Sequence, residues 1–429
     1  MTTEVNSTAA TTRSYRWYAV SVLFLVGVFN LMDRQILSIL LEPSKQELRA
    51  SDTAMGLLTG FAFVSFYTLA SLPIARSADT YSRRNIIAIA LAFWSVMTTL
   101  AGMVTSFAQL ALTRVGLGIG ESATWPAGQS MVSDFFSPDR RAAALSILAV
   151  SPPAGLMAAF ILGGWLNETV GWRLTLVCIG VPGLLLALLV RLTLSEPRRG
   201  GAERGTVDTT GYGFRATLAY LWNLRSMRYL MLGAAMNIFA TWALMVWSPA
   251  FLIRVHGVET AKVGAWLGLA SGVGGAAGTL LAGLMAQQLG RRDPRWLLGV
   301  PALTGLFAVP FIILFLNLPA ASSALPMFFG IMLFAPAMLG PVMTVTQGLA
   351  KIRMRALAAA LVTLTYNLIG VGLGPLAVGV MSDLLAPKVG VASIRYALLL
   401  AAGAAMLGAT LHFAMGARHL RADLERAAM

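Results

Sequence analysis

The chain has a single cysteine, Cys178, among 429 residues, so no intramolecular disulfide framework is open to it. Its three histidines, His256, His412 and His419, lie near the ends of apolar runs and lack the spacing of metal ligands. No Ser/His/Asp set or paired cysteines mark a nucleophilic centre. Gly116, Gly118 and Gly120 have the alternation of a dinucleotide loop, but they sit inside an apolar helical pattern with no strand before it. An enzyme, a resident cofactor and a metal site are therefore not expected. Charge is scarce too, at 12% of residues, and acids are the scarcest kind, 18 against 32 lysines and arginines.

A net charge of +14 could suggest a nucleic-acid partner, but the placement of the basic residues argues otherwise. Hydrophobic residues make up 57% of the chain, mean hydropathy is +0.74, and apolar runs of about 20 residues recur from end to end, the length a bilayer demands of a helix. The 42 glycines suit close helix–helix approach in lipid. Twelve spans are predicted near 17–40, 54–75, 85–105, 107–128, 142–166, 174–194, 229–253, 261–286, 296–317, 323–350, 356–385 and 396–416. Most of the lysines and arginines fall in the two termini and in the loops after even-numbered spans. This asymmetry predicts that both termini are cytoplasmic, and it assigns the basic excess to orientation and anionic lipid instead of nucleic acid.

The expected fold is thus an all-α polytopic membrane protein, twelve transmembrane helices in two pseudo-symmetric six-helix bundles. The predicted boundaries are a cytoplasmic tail at 1–16, an N-terminal bundle at 17–194, a cytoplasmic linker at 195–228, a C-terminal bundle at 229–416 and a second tail at 417–429. Within the linker, Phe214, Leu218, Leu221 and Trp222 recur at helical spacing beside Arg215 and Arg225, which predicts an interfacial helix. The first span is too long for a signal peptide's apolar core and carries charge, so it is expected to stay in the mature chain. The halves echo each other: Arg83 and Arg84 follow span 2 as Arg291 and Arg292 follow span 8. Such repeats, with a site near the midplane, describe one class of secondary transporter.

Two spans carry charge near their middles. Span 1 holds Asp33 and Arg34 side by side; span 4 holds Arg114 and Glu121, seven residues and about two helical turns apart. A charge at that depth costs at least about 2.5 kcal/mol, and intramembrane ionisable groups face a protein interior or a wet cavity where they have a function. Depth along the helices suggests that Asp33 meets Arg114 and that Arg34 reaches Glu121. Burial raises a carboxyl's pKa and a neighbouring arginine lowers it, the balance that proton coupling needs, so Asp33 and Glu121 are the candidate proton carriers. Arg34 and Arg114 offer planar forks for a carboxylate or phosphate, or relay charge between the acids. A static set of ion pairs tying spans 1 and 4 together is the plainer alternative. In the second half, Asn237, Thr241, Trp242, Thr365, Tyr366 and Asn367 are candidate cavity-lining residues, or helix-packing residues.

The loop Ala75, Arg76, Ser77, Ala78, Asp79, Thr80, Tyr81, Ser82, Arg83, Arg84 resembles the signature between helices 2 and 3 of the major facilitator superfamily, with Ala75 and Ser82 where glycines are usual and Thr80 where a basic residue is usual. Three stretches resemble its spinster-like branch: Asn30 to Gln35 around Asp33 and Arg34, Pro73 to Asp79, and Arg114 to Ser122. The resemblance implies a proton-coupled transporter working by alternating access, with a lysophospholipid or sphingosine-1-phosphate-like lipid as cargo. It also implies a cytoplasmic latch at Asp79 and Arg83. A sister group of organic anion (sugar-acid) transporters has a similar Asp-Arg and Arg…Glu, and the four charges do not separate the two. Trp242, Trp247, Trp266 and Phe239 in the second half suit an acyl chain better than a small hydrophilic acid. A passive channel or lipid scramblase is the alternative of a different class. The expected partners are an amphipathic anion or lysolipid, protons and the bilayer, with a bacterial inner membrane as location and a monomer as the working unit.

Overall fold

The computed structural model describes residues 12–197 and 213–428, without the side chains of Leu72, Ala75, Arg76, Ala78, Asp79, Pro138 and Ala428. Most of the predicted N-terminal tail, the first part of the linker and Met429 lie outside the described residues. Among those described there are helices, turns and short loops, and no strand. Nine helical stretches are long and apolar enough to cross a membrane. Two of them, Asp139–Thr193 and Ile352–Ala427, each hold two spans. Gly171, at φ 80°, turns the chain between spans 5 and 6, a conformation that only a residue without Cβ adopts readily. Span 4 escapes the nine because it is broken, Phe107–Glu121 then Thr124–Phe135. Pro126 explains the break: it has no N–H for the Ser122 carbonyl four residues back, and its ring crowds that oxygen. Twelve spans result.

Local chemistry sets the helix ends. Ser82 accepts from the Asn85 N–H at the start of span 3 (Arg83–Ala101), and Ser106 accepts from the Gln109 N–H at the start of span 4, each satisfying one orphan donor. Gly257, at φ 64°, closes span 7 (Arg225–His256) with its N–H turned back to the Ile253 carbonyl. The expected linker helix is present as Phe214–Asn223. It buries Thr217 and Leu221 and turns Phe214, Leu218 and Trp222 outward, an apolar face suited to a membrane surface.

The chain divides into two compact units. One takes the described residues of Met1–Arg49 and Ser65–Val207, the other Ala50–Val64 and the described residues of Asp208–Met429. In the first unit, glycines bring the helices together around span 1 (Arg13–Ile39). A Cβ on Gly155 would overlap the Val28 carbonyl oxygen, one on Gly163 the Ile36 side chain, and one on Gly120 would meet the Cβ of Trp94 at 2.9 Å. Trp94 and Ile36 are fully buried there. This seam sets the distance of spans 3, 4 and 5 from the charged turn of span 1.

The second unit claims residues 50–64 for two reasons. Asp52, 3% exposed, takes a bidentate pair from Arg254 at 2.7 and 3.0 Å and a hydroxyl from Ser382 at 2.6 Å. The Asp52 and Thr53 N–H groups donate to Asp383 at 3.1 and 2.7 Å. Beyond this clamp, Gly56 and Gly60 lie against the carbonyls of Pro375 and Gly372, where no side chain would fit. π-Helical turns at Leu58–Ala62 and Tyr366–Gly372 flank that approach. Further π turns lie at Ala270–Gly274 and Leu399–Gly403.

Candidate functional site: a buried charge network in the first unit

Spans 1, 3 and 4 place all four intramembrane charges together. Asp33 is fully buried, Glu121 is 1% exposed and Arg114 3%. Arg34 Nε donates to Glu121 Oε2 at 2.9 Å, the pairing that depth predicts. The Arg34 guanidinium also lies over the ring of Tyr67 in span 2, 4.8 Å from its centroid, which holds its charge on an aromatic face.

The second pairing takes a different form. Asp33 and Arg114 are brought together, but Arg114 Nη1 donates to the backbone carbonyl of Asp33 at 3.1 Å, not to its carboxylate. The carboxylate oxygen Oδ2 instead accepts the indole N–H of Trp94 at 2.9 Å. Oδ1 of Asp33, Oε1 of Glu121, and Nε and Nη2 of Arg114 have no hydrogen-bond partner among the described residues. Each such buried group costs about 1–3 kcal/mol in an apolar interior. A cluster of them around one ion pair is poor structural cement. It is well suited to rearrangement, because a proton or an incoming anion satisfies groups that the resting packing leaves unmet.

In the second unit, Asn237 is buried, with its amide donating to the sulfur of Met406 at 3.6 Å, and the Thr241 hydroxyl returns to the Asn237 carbonyl. Thr365 bonds the Leu361 carbonyl within its own helix. Trp242, Tyr366 and Asn367 are half-buried, the last two opening the π turn of span 11. A π turn aims side chains off the regular helical face and recurs at functional sites.

The side chain of Asp79 lies outside the described residues. Arg83 is 3% exposed and its guanidinium is fully engaged inside the first unit: Asp134 at 2.5 Å, Glu196 at 2.8 Å, the Ser130 hydroxyl at 2.7 Å and the Pro197 carbonyl at 3.0 Å. Burial pulls the Glu196 carboxyl upward, but the Arg84 N–H, the Arg83 guanidinium and the Ser82 hydroxyl outweigh it and hold it below the usual carboxylate range. Sequence reasoning named Arg83 but missed Asp134 and Glu196, and at the buried network it missed Trp94 and Tyr67. None of these four breaks an apolar pattern near mid-span with a charge, which was the signal followed.

The Major Facilitator Superfamily model matches residues 23–375. An MFS-type efflux pump of Mycolicibacterium smegmatis is 36% identical over 417 residues, 96% of this chain and 95% of that protein. A probable L-galactonate transporter of Escherichia coli is 30% identical over 63% of this chain and 61% of its own, and a sphingosine-1-phosphate transporter of Danio rerio 29% identical over 56% and 48%. Among solved structures, a bacterial homolog to the human lysosomal transporter spinster superposes with a TM-score of 0.83 at 28% identity, covering 96% of this chain and 98% of that one. With its membrane-spanning helices and its buried charges, the chain belongs to the Major Facilitator Superfamily, as a spinster-like, multi-pass membrane transporter and not an enzyme.

Proposed function

We propose that this transporter moves an amphipathic anion, a lysophospholipid or sphingosine-1-phosphate-like lipid, in exchange with or alongside protons by alternating access. The observation that carries the reading is the buried network, in which Arg34 is paired with Glu121 while Arg114 reaches a backbone carbonyl. Protonating Glu121 would release the Arg34 fork toward an anionic head group. Asp33, set between Trp94 and Arg114, is the second proton carrier. The similarity to the sphingosine-1-phosphate transporter supports the lipid. The protein would work as a monomer in a bacterial inner membrane with both termini cytoplasmic.

The test is uphill accumulation in sealed vesicles under an imposed pH gradient. A channel or scramblase would only equilibrate its solute. Asp33→Asn should abolish proton-driven uptake while substrate counterflow survives, because exchange needs no net proton movement. Wild-type proton-driven uptake in that variant would remove Asp33 from the mechanism. The similarity to the L-galactonate transporter favours a second reading, a sugar acid. Affinity that rises with acyl length at one phosphate head group supports the lipid, since each buried methylene contributes about 0.8 kcal/mol. Tight binding of hexonates or hexuronates, independent of any chain, supports the sugar acid.

A further inference from the structure

One helical turn from the Arg34–Glu121 pair, toward the N-terminal end of span 1, the first unit contains a small cavity. Leu23, Gly27 and Asn30 of span 1 line it with Thr124, Trp125 and Gly128 of span 4. Asn30 is four residues before Arg34 on the same face of span 1, and Thr124 opens the second part of span 4, three residues after Glu121. Asn30 is 8% exposed and Thr124 6%, yet Asn30 Nδ2 and Thr124 Oγ1 have no hydrogen-bond partner among the described residues. Both side chains sit on a wall otherwise made of apolar groups and glycine. The cavity, which is partly open, has a volume of about 10 Å³, roughly one water-sized sphere. That admits one oxygen atom and excludes a phosphate or carboxylate.

We propose that Asn30 and Thr124 form a neutral subsite that reads one hydroxyl group of the transported anion, while the charged group engages the arginines a turn away. A hydroxyl fits both partners: it accepts from Asn30 Nδ2 and donates to Thr124 Oγ1. The helical rise from Asn30 to Arg34 puts the hydroxyl about 6 Å from the anionic group. A lysophospholipid's glycerol hydroxyl and a sugar acid's chain hydroxyl both meet that requirement; a simple fatty acid or alkyl phosphate does not. The subsite rests on the anion-transport reading above and adds to it a specificity determinant that the four charges lack.

The test is binding to the full-length, detergent-solubilised protein with two probe pairs. One pair is an oleoyl lysophosphatidate and its analogue lacking the glycerol hydroxyl; the other is a hexonate and its deoxy analogues. The wild type should bind the hydroxylated member at least about 10-fold more tightly, since a site built to hydrogen-bond a hydroxyl is left unpaired by the analogue. Asn30→Leu should lose that preference and keep its affinity for the deoxy probe. Thr124→Val removes the other polar partner while keeping the side chain's shape, and should erase the preference in the same way. Equal binding of both members by the wild type, or a preference that persists in both variants, overturns the subsite alone. A preference in the hexonate pair only supports the subsite and overturns the lipid cargo. Binding of neither pair overturns the substrate class and the subsite with it.

Discussion

Neutralising either end of the Arg34–Glu121 pair should destabilise the protein, and neutralising both should cost less than the sum. The pair meets at 2.9 Å, and the Arg34 side chain keeps 18% exposure and the Glu121 side chain none. Removing one partner of a buried pair costs about 3–5 kcal/mol, because the other charge is left behind. Glu121→Gln belongs near the lower bound, about 3 kcal/mol. The stranded guanidinium keeps some solvent and the Tyr67 ring, and the glutamine still offers an acceptor. Arg34→Gln belongs near the upper bound, about 5 kcal/mol, because the carboxylate it strands is fully enclosed. The double variant holds no stranded charge, so it should cost no more than the worse single change. The two sites would then show a coupling energy of about 3 kcal/mol. Reversible unfolding in mixed micelles, followed for all four proteins of the cycle, measures it. Costs that add within about 0.5 kcal/mol would refute the pairing as an energetic unit, whatever its geometry.

The glycine seam of the second unit makes a packing prediction. Gly60→Ala drives a methyl into the Gly372 carbonyl, a backbone group that cannot rotate away, and should cost about 1–3 kcal/mol by thermal unfolding. Gly283→Ala, where a Cβ meets nothing within 4 Å, is the matched control and should leave stability unchanged or slightly raised. The Glu196 carboxyl supplies a pH prediction. Its value in the folded protein is depressed, so its contribution is present above the unfolded value and is lost as pH falls through the folded one. The stability gap between wild type and Glu196→Gln should therefore be widest at neutral pH and close in acid; a gap independent of pH would mean that Glu196 acts through packing alone.

What the sequence determined by itself is what local pattern can carry. Twelve spans are legible because a bilayer asks each helix for the same length of apolar residues. Asp33, Arg34, Arg114 and Glu121 are legible because a charge in such a run is costly enough to need a reason. The Arg34–Glu121 pairing follows from helical rise alone. The turn at 171 and the break before Pro126 had signals in Gly171 and Pro126 that a count of apolar residues overlooks.

Other features were decided only by tertiary structure. Trp94 became the Asp33 partner through the packing of span 3 against span 1, and nothing along span 3 marks that indole beforehand. Arg114 turned to the Asp33 carbonyl instead of its carboxylate, a choice of orientation that hydropathy does not record. Residues 50–64 joined the second unit through Asp52, Arg254, Ser382 and Asp383, groups up to 331 residues apart in sequence. The small cavity at Asn30 and Thr124 is likewise invisible locally. An asparagine and a threonine in apolar helices are unremarkable until packing leaves both without partners and facing the same space. Long-range contacts made that choice, and a one-dimensional pattern holds no distances between helices.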